Sequence, residues 1–391
     1  MLARCFRSVP RARSISRGAL ERSSARLHLT SRSPASALST TAFDSSIVHK
    51  SPHQDIVLPN KTIWNIVEDQ ARINGDKTAF ICGIGHDVVT FHELYERAKR
   101  VAAGLANDGV GKGDAVILHS FNCMEYPTVL LALASLGAIC SPAPPTAQPV
   151  ELASQIRESK ASHIITHVEL AQIALEAAKQ ADIATNFVYT MGDPSKSSES
   201  LTSIRDLTDR ETGSFEFEDI DPELTALLPF SSGTTGVPKG VALSARNLLA
   251  NALQIRQIED LGSHSLGLLP YFHIYGMTLM NLSLCHGAAN VVLPRFEPAS
   301  FLQALAKYKI RAAHIAPPVA LFLAHHPMVD NYDLSATEFM VSGGAPMGKE
   351  VENLVEKRLQ IPVKQAYGLT EASPAVNYTE DGFRKPVSRL A

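Results

Sequence analysis

From Lys61 onward the chain repeats one pattern: a short run of β-branched or apolar residues, then a longer stretch with apolar residues at helical spacing, then another short run. "TIWNIVEDQARIN" (62–74) and "HELYERAKRVAAGLANDG" (92–109) read as amphipathic helices, and "KTAFIC", "VVTF" and "DAVILHS" as strands. The rhythm continues with a Tyr126–Leu136 helix, "GAICSPAPP" strand, "ELASQIRESKA" helix, "SHIITH" strand, "ELAQIALEAAKQA" helix and "NFVYT" strand. A polar stretch, 192–223, reads as a surface connection. Beyond it follow "SARNLLANALQIRQI" helix, "SLGLLPYFHIYGM" strand and turn, "ANVVLP" strand, "PASFLQALAKYK" helix and "RAAHIAP" strand. Strands joined through helices pair in parallel and need helices on both faces to cover them. The expected class is α/β, with layered parallel sheets flanked by helices, in two subdomains at 46–223 and 224–391.

Residues 1–45 do not share this pattern. Within the first 43 lie eight arginines, Arg4, Arg7, Arg11, Arg13, Arg17, Arg22, Arg26 and Arg32, against one acid, Glu21. An Arg-rich, Ser-rich, acid-poor start has the composition of a mitochondrial transit peptide, and is otherwise an arm with no part in the fold. The expectation is a mitochondrial location, with cytoplasmic and peroxisomal ones as alternatives; "SRL" at 388–390 resembles a peroxisomal address, but Ala391 follows it. The whole chain carries a formal net charge of −3, so no polybasic surface calls for nucleic acid. Its longest apolar run, Val129–Cys140, falls well short of the roughly 20 residues that span a bilayer, and reads as a buried helix. No transmembrane segment is expected. The five cysteines, 5, 82, 123, 140 and 285, form no C-x-x-C pair, which suits a reducing compartment and offers no thiolate metal site.

"PFSSGTTGVPKGV" (229–241) is the stretch that carries chemistry. Ser231, Ser232, Gly233, Thr234, Thr235 and Gly236 offer hydroxyls and unhindered amides, and Lys239 adds a cation, a set that can wrap phosphate oxygens. It is not a Walker loop, because Val237 and Pro238 separate the last glycine from Lys239, and proline supplies no amide. Other chemistries lack support. His163 and His167 sit in a β-branched run with no third ligand nearby, no G-x-S-x-G elbow occurs, and Gly109, Gly111 and Gly113 follow a helix where a dinucleotide fingerprint would follow a strand.

Residues 228–241 closely resemble the phosphate-binding signature of the adenylate-forming enzymes. "LPYFHIYGM" (269–277), "VSGGAPMGKE" (341–350) and "QAYGLTEASP" (365–374) follow in that superfamily's order. "HIYG", "PRFEP", "APPVA" and "YDLS" are most similar to its coumarate-CoA ligase and luciferase branch, and the resemblance covers residues 55–385. It implies an acid–thiol ligase: ATP and a carboxylic acid form an acyl-adenylate and pyrophosphate, and coenzyme A then displaces AMP. It also implies that the loop from Ser231 to Lys239 holds the β and γ phosphates, and that Gly343, Gly344, Ala345 and Pro346 form a flat wall for adenine. Gln365, Ala366, Tyr367 and Gly368 would bind the nucleotide, Tyr367 on the other face of the base. Thr370 would bond the α phosphate, and Glu371 would ligate Mg2+. His273 would gate the carboxylate, and Ile274, Tyr275, Met277, Ala366, Gly368 and Pro374 would line the acyl pocket. Ala366 stands where aryl-binding members usually have glycine, which tilts the expectation towards an aliphatic or smaller acid.

The resemblance also implies parts that 20 residues after Glu371 leave no room for. These are the distal barrel with a ribose-binding aspartate, and a C-terminal lid domain carrying the adenylation lysine. The expectation is a truncated form of such a ligase, with adenylation far slower than in a complete enzyme. The alternatives are a non-catalytic nucleotide-binding remnant and, from another class, a P-loop-type phosphotransferase.

Overall fold

A computed structural model of the chain describes residues 51–196, 199–209, 215–231 and 238–379. The arginine-rich arm, residues 232–237 of the phosphate-loop candidate and the terminal "GFRKPVSRLA" lie outside these. Chain contacts separate residues 1–54 from 55–391. Of the first unit only 51–54 are described, where the His53 amide donates to Ser51 Oγ at 3.2 Å.

The second unit is built on three main sheets. The largest has seven strands in the order Leu243–Ser244, Thr225–Leu227, Ile139–Ala143, Ala115–His119, His163–His167, Val188–Met191 and Thr202–Ser203. All its neighbours run parallel except the Leu243–Ser244 edge, which is antiparallel. Ala115–His119 and His163–His167 are buried at every position, as strands covered on both faces must be. A four-stranded sheet follows the order His264–Gly267, Ala289–Val292, Thr78–Cys82 and Val88–Thr90, so that the 46–223 and 224–391 segments share both sheets. The third sheet, Ala312–Ile315, Phe339–Ser342, Val363–Gly368 and Ala375–Tyr378, is parallel but for its last strand.

Helix Phe91–Asn107 starts where Thr90 and Glu93 form a capping box, each side chain bonding the other's backbone amide. Its apolar face joins Trp64, Leu131 and Val129 in a core that also takes Leu248, Met280 and Val292 from the second half of the chain. Tyr126–Ser135 is buried along nearly its whole length, as expected of the apolar run. Among the described residues no helix is long and apolar enough to cross a membrane.

Two expectations need correction. "HIYGM" does not continue a strand and turn: Ile274 opens a helix, Ile274–His286, that is buried all round. Apolar residues on every face leave no 3.6-residue period to read. The polar stretch 192–223 is not structureless, since it holds the edge strand Thr202–Ser203 and the short helix Ile204–Asp209. Among its described residues Ile204 and Leu207 are buried in the core and Phe215 and Phe217 pack against it, spaced too irregularly to form a pattern.

Candidate functional site

The described ends of the phosphate-loop candidate are two short strands. Phe230–Ser231 pairs antiparallel with Lys239–Gly240, with Ser231 opposite Lys239. Its base is tied to the seven-stranded sheet, where the Leu228 amide donates to the Cys140 carbonyl at 2.8 Å and Ser141 Oγ donates to the Leu228 carbonyl at 3.0 Å. Ser231 is half-buried and Lys239 exposed; Ser232, Gly233, Thr234, Thr235 and Gly236 lie outside the described residues.

The other candidates gather at one edge of the third sheet. Ile315 pairs with Ser342 and Ser342 with Gln365, so two strands end level with each other, before Ala316 and Gly343, while Val363–Gly368 runs on beyond them, paired there, among the described residues, only with Ala375–Tyr378. The carboxyl ends of parallel strands are where α/β sheets place ligands. Gly343 is buried, and a Cβ built on it would lie 2.8 Å from Cε1 of Tyr275, so only glycine lets this ring come so close. Gly344 has φ +85° and is exposed, as are Ala345 and Pro346, leaving an open, small-residue surface. Tyr367, 52% exposed, is the last residue but one of the adjoining strand, while Gln365 is held back by a 2.7 Å bond from its amide to Glu352.

Thr370 and Glu371 belong to a 3-10 turn, Thr370–Ala372, with Thr370 half-buried and Glu371 exposed. The loop around them closes through the Leu369 amide, which donates to the Pro374 carbonyl at 3.0 Å. Two helices pin its far side. Asn251 makes both backbone bonds of Ala375, donating to the carbonyl at 3.0 Å and accepting from the amide at 3.1 Å, and Thr278 Oγ1 donates to the Ser373 carbonyl at 3.0 Å.

His273 caps helix Ile274–His286, its Nδ1 accepting from the Tyr275 amide at 3.2 Å. The helix start therefore brings Tyr275 to the Gly343 edge and leaves His273 exposed, whereas Ile274 and Met277 point into the main core. Ala366 pairs with Tyr378 and, like Tyr275, packs against the buried cluster of Leu279, Leu282 and Val341, while the Pro374 carbonyl lies against Gly368. A cavity of about 1510 Å³ reaches Phe272 and Ala316, but Ile274, Tyr275, Met277, Ala366, Gly368 and Pro374, expected along the acyl pocket, are not among its lining residues. Leu269, Phe272, Phe296, Ala316 and Val319 make its apolar side, and Arg100 is among the charged residues around it.

Behind the site lies a group that sequence reasoning missed. Glu259, fully buried, accepts from Tyr378 Oη and lies 2.6 Å from Nε2 of His314, whose Nδ1 is 2.9 Å from the Tyr275 hydroxyl. Burial alone would raise the Glu259 pKa, but His314, Tyr378 and Lys364 outweigh it and hold the group below the usual glutamate value. The Tyr275 hydroxyl is pushed above the usual tyrosine value, by burial first and by Glu259 second. The one signal in the sequence was His314 itself, a lone polar residue inside the apolar strand "RAAHIAP", because a buried polar group demands a partner. Glu259 gave none, since it ends a helix where a polar residue is ordinary. Among the described residues no three His, Cys, Asp or Glu side chains cluster as a metal site.

The profile of the AMP-binding enzyme family matches residues 67–389. A probable 4-coumarate–CoA ligase of Dictyostelium discoideum is 31% identical over 354 residues, 86% of this chain and 64% of that protein. A 4-coumarate–CoA ligase of Arabidopsis thaliana is 32% identical over 352 residues, 87% of this chain and 61% of that protein. The chain thus spans less than two thirds of the length of these relatives. Among solved structures, a long-chain-fatty-acid-CoA ligase from Archaeoglobus fulgidus superposes with a TM-score of 0.77 at 24% identity, over 85% of this chain and 68% of that one. An anthranilate CoA ligase in complex with anthranoyl-AMP gives 0.77 at 20% identity, over 84% of this chain and 63% of that one. These likenesses establish the α/β fold with helix-flanked parallel sheets. Together with the match across 67–389, they show that the chain belongs to the AMP-binding enzyme family.

Proposed function

We propose that this chain uses ATP to activate a small carboxylic acid as an acyl-adenylate, for transfer to the thiol of coenzyme A. The observation that carries this reading is that Gly343–Pro346 leave the third sheet beside the strand that holds Tyr367, with Thr370 and Glu371 in the turn that follows it. In the reaction a carboxylate oxygen attacks the α phosphorus and the bond to pyrophosphate breaks; the thiol sulfur then attacks the acyl carbon and AMP leaves.

Each residue has a part in that scheme. The exposed face at Gly344, Ala345 and Pro346 takes the adenine on one side and the exposed Tyr367 ring on the other. Thr370 donates to the α phosphate. Lys239 and the loop it closes offset charge building on pyrophosphate, the kind of stabilisation that acts on the transition state rather than the ground state. Glu371, an exposed carboxylate next to Thr370, suits a Mg2+ ion that shares its other ligands with phosphates and water, and the ion would neutralise phosphate charge there. His273, whose Nδ1 accepts from the Tyr275 amide, would gate the carboxylate. The apolar side of the adjoining cavity is wide enough for an acyl chain. Ala366 in place of glycine favours an aliphatic or smaller acid. We also read residues 1–45 as a mitochondrial targeting arm, which the amino terminus of the natural protein decides.

The test is the product. Incubated with ATP, Mg2+ and a panel of carboxylic acids, the purified protein is expected to release AMP and pyrophosphate. ADP as product would replace this reading with phosphoryl transfer, and ATP binding without turnover would leave a nucleotide-binding protein.

A further inference from the structure

The Glu259 group serves no step in that scheme, yet it touches three elements that build the site. Glu259 closes helix Ala245–Ile258, His314 lies on strand Ala312–Ile315, Tyr275 lies in the first turn of helix Ile274–His286, and Tyr378 ends strand Ala375–Tyr378. Tyr275 is the residue against which Gly343 packs, and Tyr378 pairs in register with Ala366. So one carboxylate is connected, within two hydrogen bonds, to Tyr275, which packs on Gly343, and to Tyr378, which pairs with Ala366.

A fully buried carboxylate is costly to desolvate, and apolar residues of equal volume often hold a core at least as well. What hydrogen bonds add is direction. His314 is held at both ring nitrogens, Nε2 2.6 Å from Glu259 and Nδ1 2.9 Å from the Tyr275 hydroxyl, so the angle of the Tyr275 ring is set. Tyr378 donates to the second carboxylate oxygen, which sets the height of the antiparallel strand beside Ala366.

We propose that Glu259 is a positioning residue for the nucleotide site: through His314 and Tyr275 it holds Gly343, through Tyr378 it holds the strand at Ala366, and it thereby keeps the two walls at one spacing. This rests on the nucleotide-binding reading above.

AMP alone is the probe, titrated calorimetrically into the full chain, with thermal unfolding measured on the same samples. The wild type is expected to bind. Glu259→Gln, which cannot accept from both His314 and Tyr378, and Tyr275→Phe, which deletes only the hydroxyl, are each expected to weaken AMP binding by about tenfold, the range of one well-placed buried hydrogen bond. Because they act along one chain of contacts, the double variant is expected to bind no worse than the weaker single. Tyr189→Phe is the control: its hydroxyl donates to Asp108 at 2.8 Å in the seven-stranded sheet, so its loss is expected to lower the melting temperature and leave AMP affinity unchanged. AMP affinity of Tyr275→Phe within twofold of wild type, multiplicative losses in the double variant, or an equal loss in Tyr189→Phe overturns the proposal. If Glu259→Gln does not fold, His314→Gln takes its place in the cycle. A wild type that does not bind AMP overturns the nucleotide reading itself, and this proposal with it.

Discussion

At the scale of single residues, the site is shaped by what is missing from two side chains. Gly343 leaves room for the Tyr275 ring, with only 2.8 Å between its would-be Cβ and Cε1, and Gly344 turns the chain at φ +85°. A methyl at 343 has to displace the ring or the strand. We expect Gly343→Ala to lower stability by about 1–3 kcal/mol, the usual cost of overpacking a tight site. Urea unfolding measures it, and an unchanged midpoint would mean that Tyr275 is free to swing away. The text "SGGAP" marked these positions, but not their partner: Tyr275 lies 68 residues earlier, and no local pattern reports a contact of that span. Tyr367 and Glu371 were likewise legible as types at fixed spacing, while the bond that holds Gln365 to Glu352 was not.

Among elements, the turn that carries Thr370 and Glu371 owes its position to helices far away in sequence. Asn251 replaces a missing strand neighbour for Ala375 by bonding its amide and its carbonyl together, and Thr278 does part of the same for Ser373. Asn251→Ala would leave both groups of Ala375 without that partner, at a cost of about 1–3 kcal/mol. The expected signature is faster hydrogen exchange at the Ala375 amide, beyond that of the sheet interior; unchanged exchange would show that another group satisfies the edge strand. Helix Ala245–Ile258, which carries Asn251, was read within "SARNLLANALQIRQI", and the structure makes Ser244 its cap. Helix Ile274–His286 was not, because burial on every side erases the polar face that makes a period visible.

For the molecule as a whole, buried histidines decide how it meets acid. His119 is fully buried on the central strand Ala115–His119, 3.1 Å from Thr166 Oγ1, and burial pushes its pKa from the ordinary 6.5 down to about 4. His163 and His167 on the neighbouring strand shift the same way, again chiefly by burial. Below pH 6.5 the unfolded chain takes up a proton that folded His119 refuses until about pH 4, so stability is expected to fall across that interval. A urea midpoint that declines from pH 6.5 to 4, with a shallower decline in His119→Gln, is the expected result; equal slopes would assign the decline to other groups. The amino-acid sequence by itself determined the alternation of strands and helices, the parallel α/β class and the ordered motifs, because periodicity, β-branching and short spacings are local properties of the chain. Tertiary structure alone decided that Gly343 faces Tyr275, that Asn251 serves as the neighbour of Ala375, and that Glu259, His314, Tyr275 and Tyr378 form one group. Those outcomes depend on which distant side chains are desolvated together, and a buried polar atom takes its partner from whatever the fold brings within hydrogen-bonding reach.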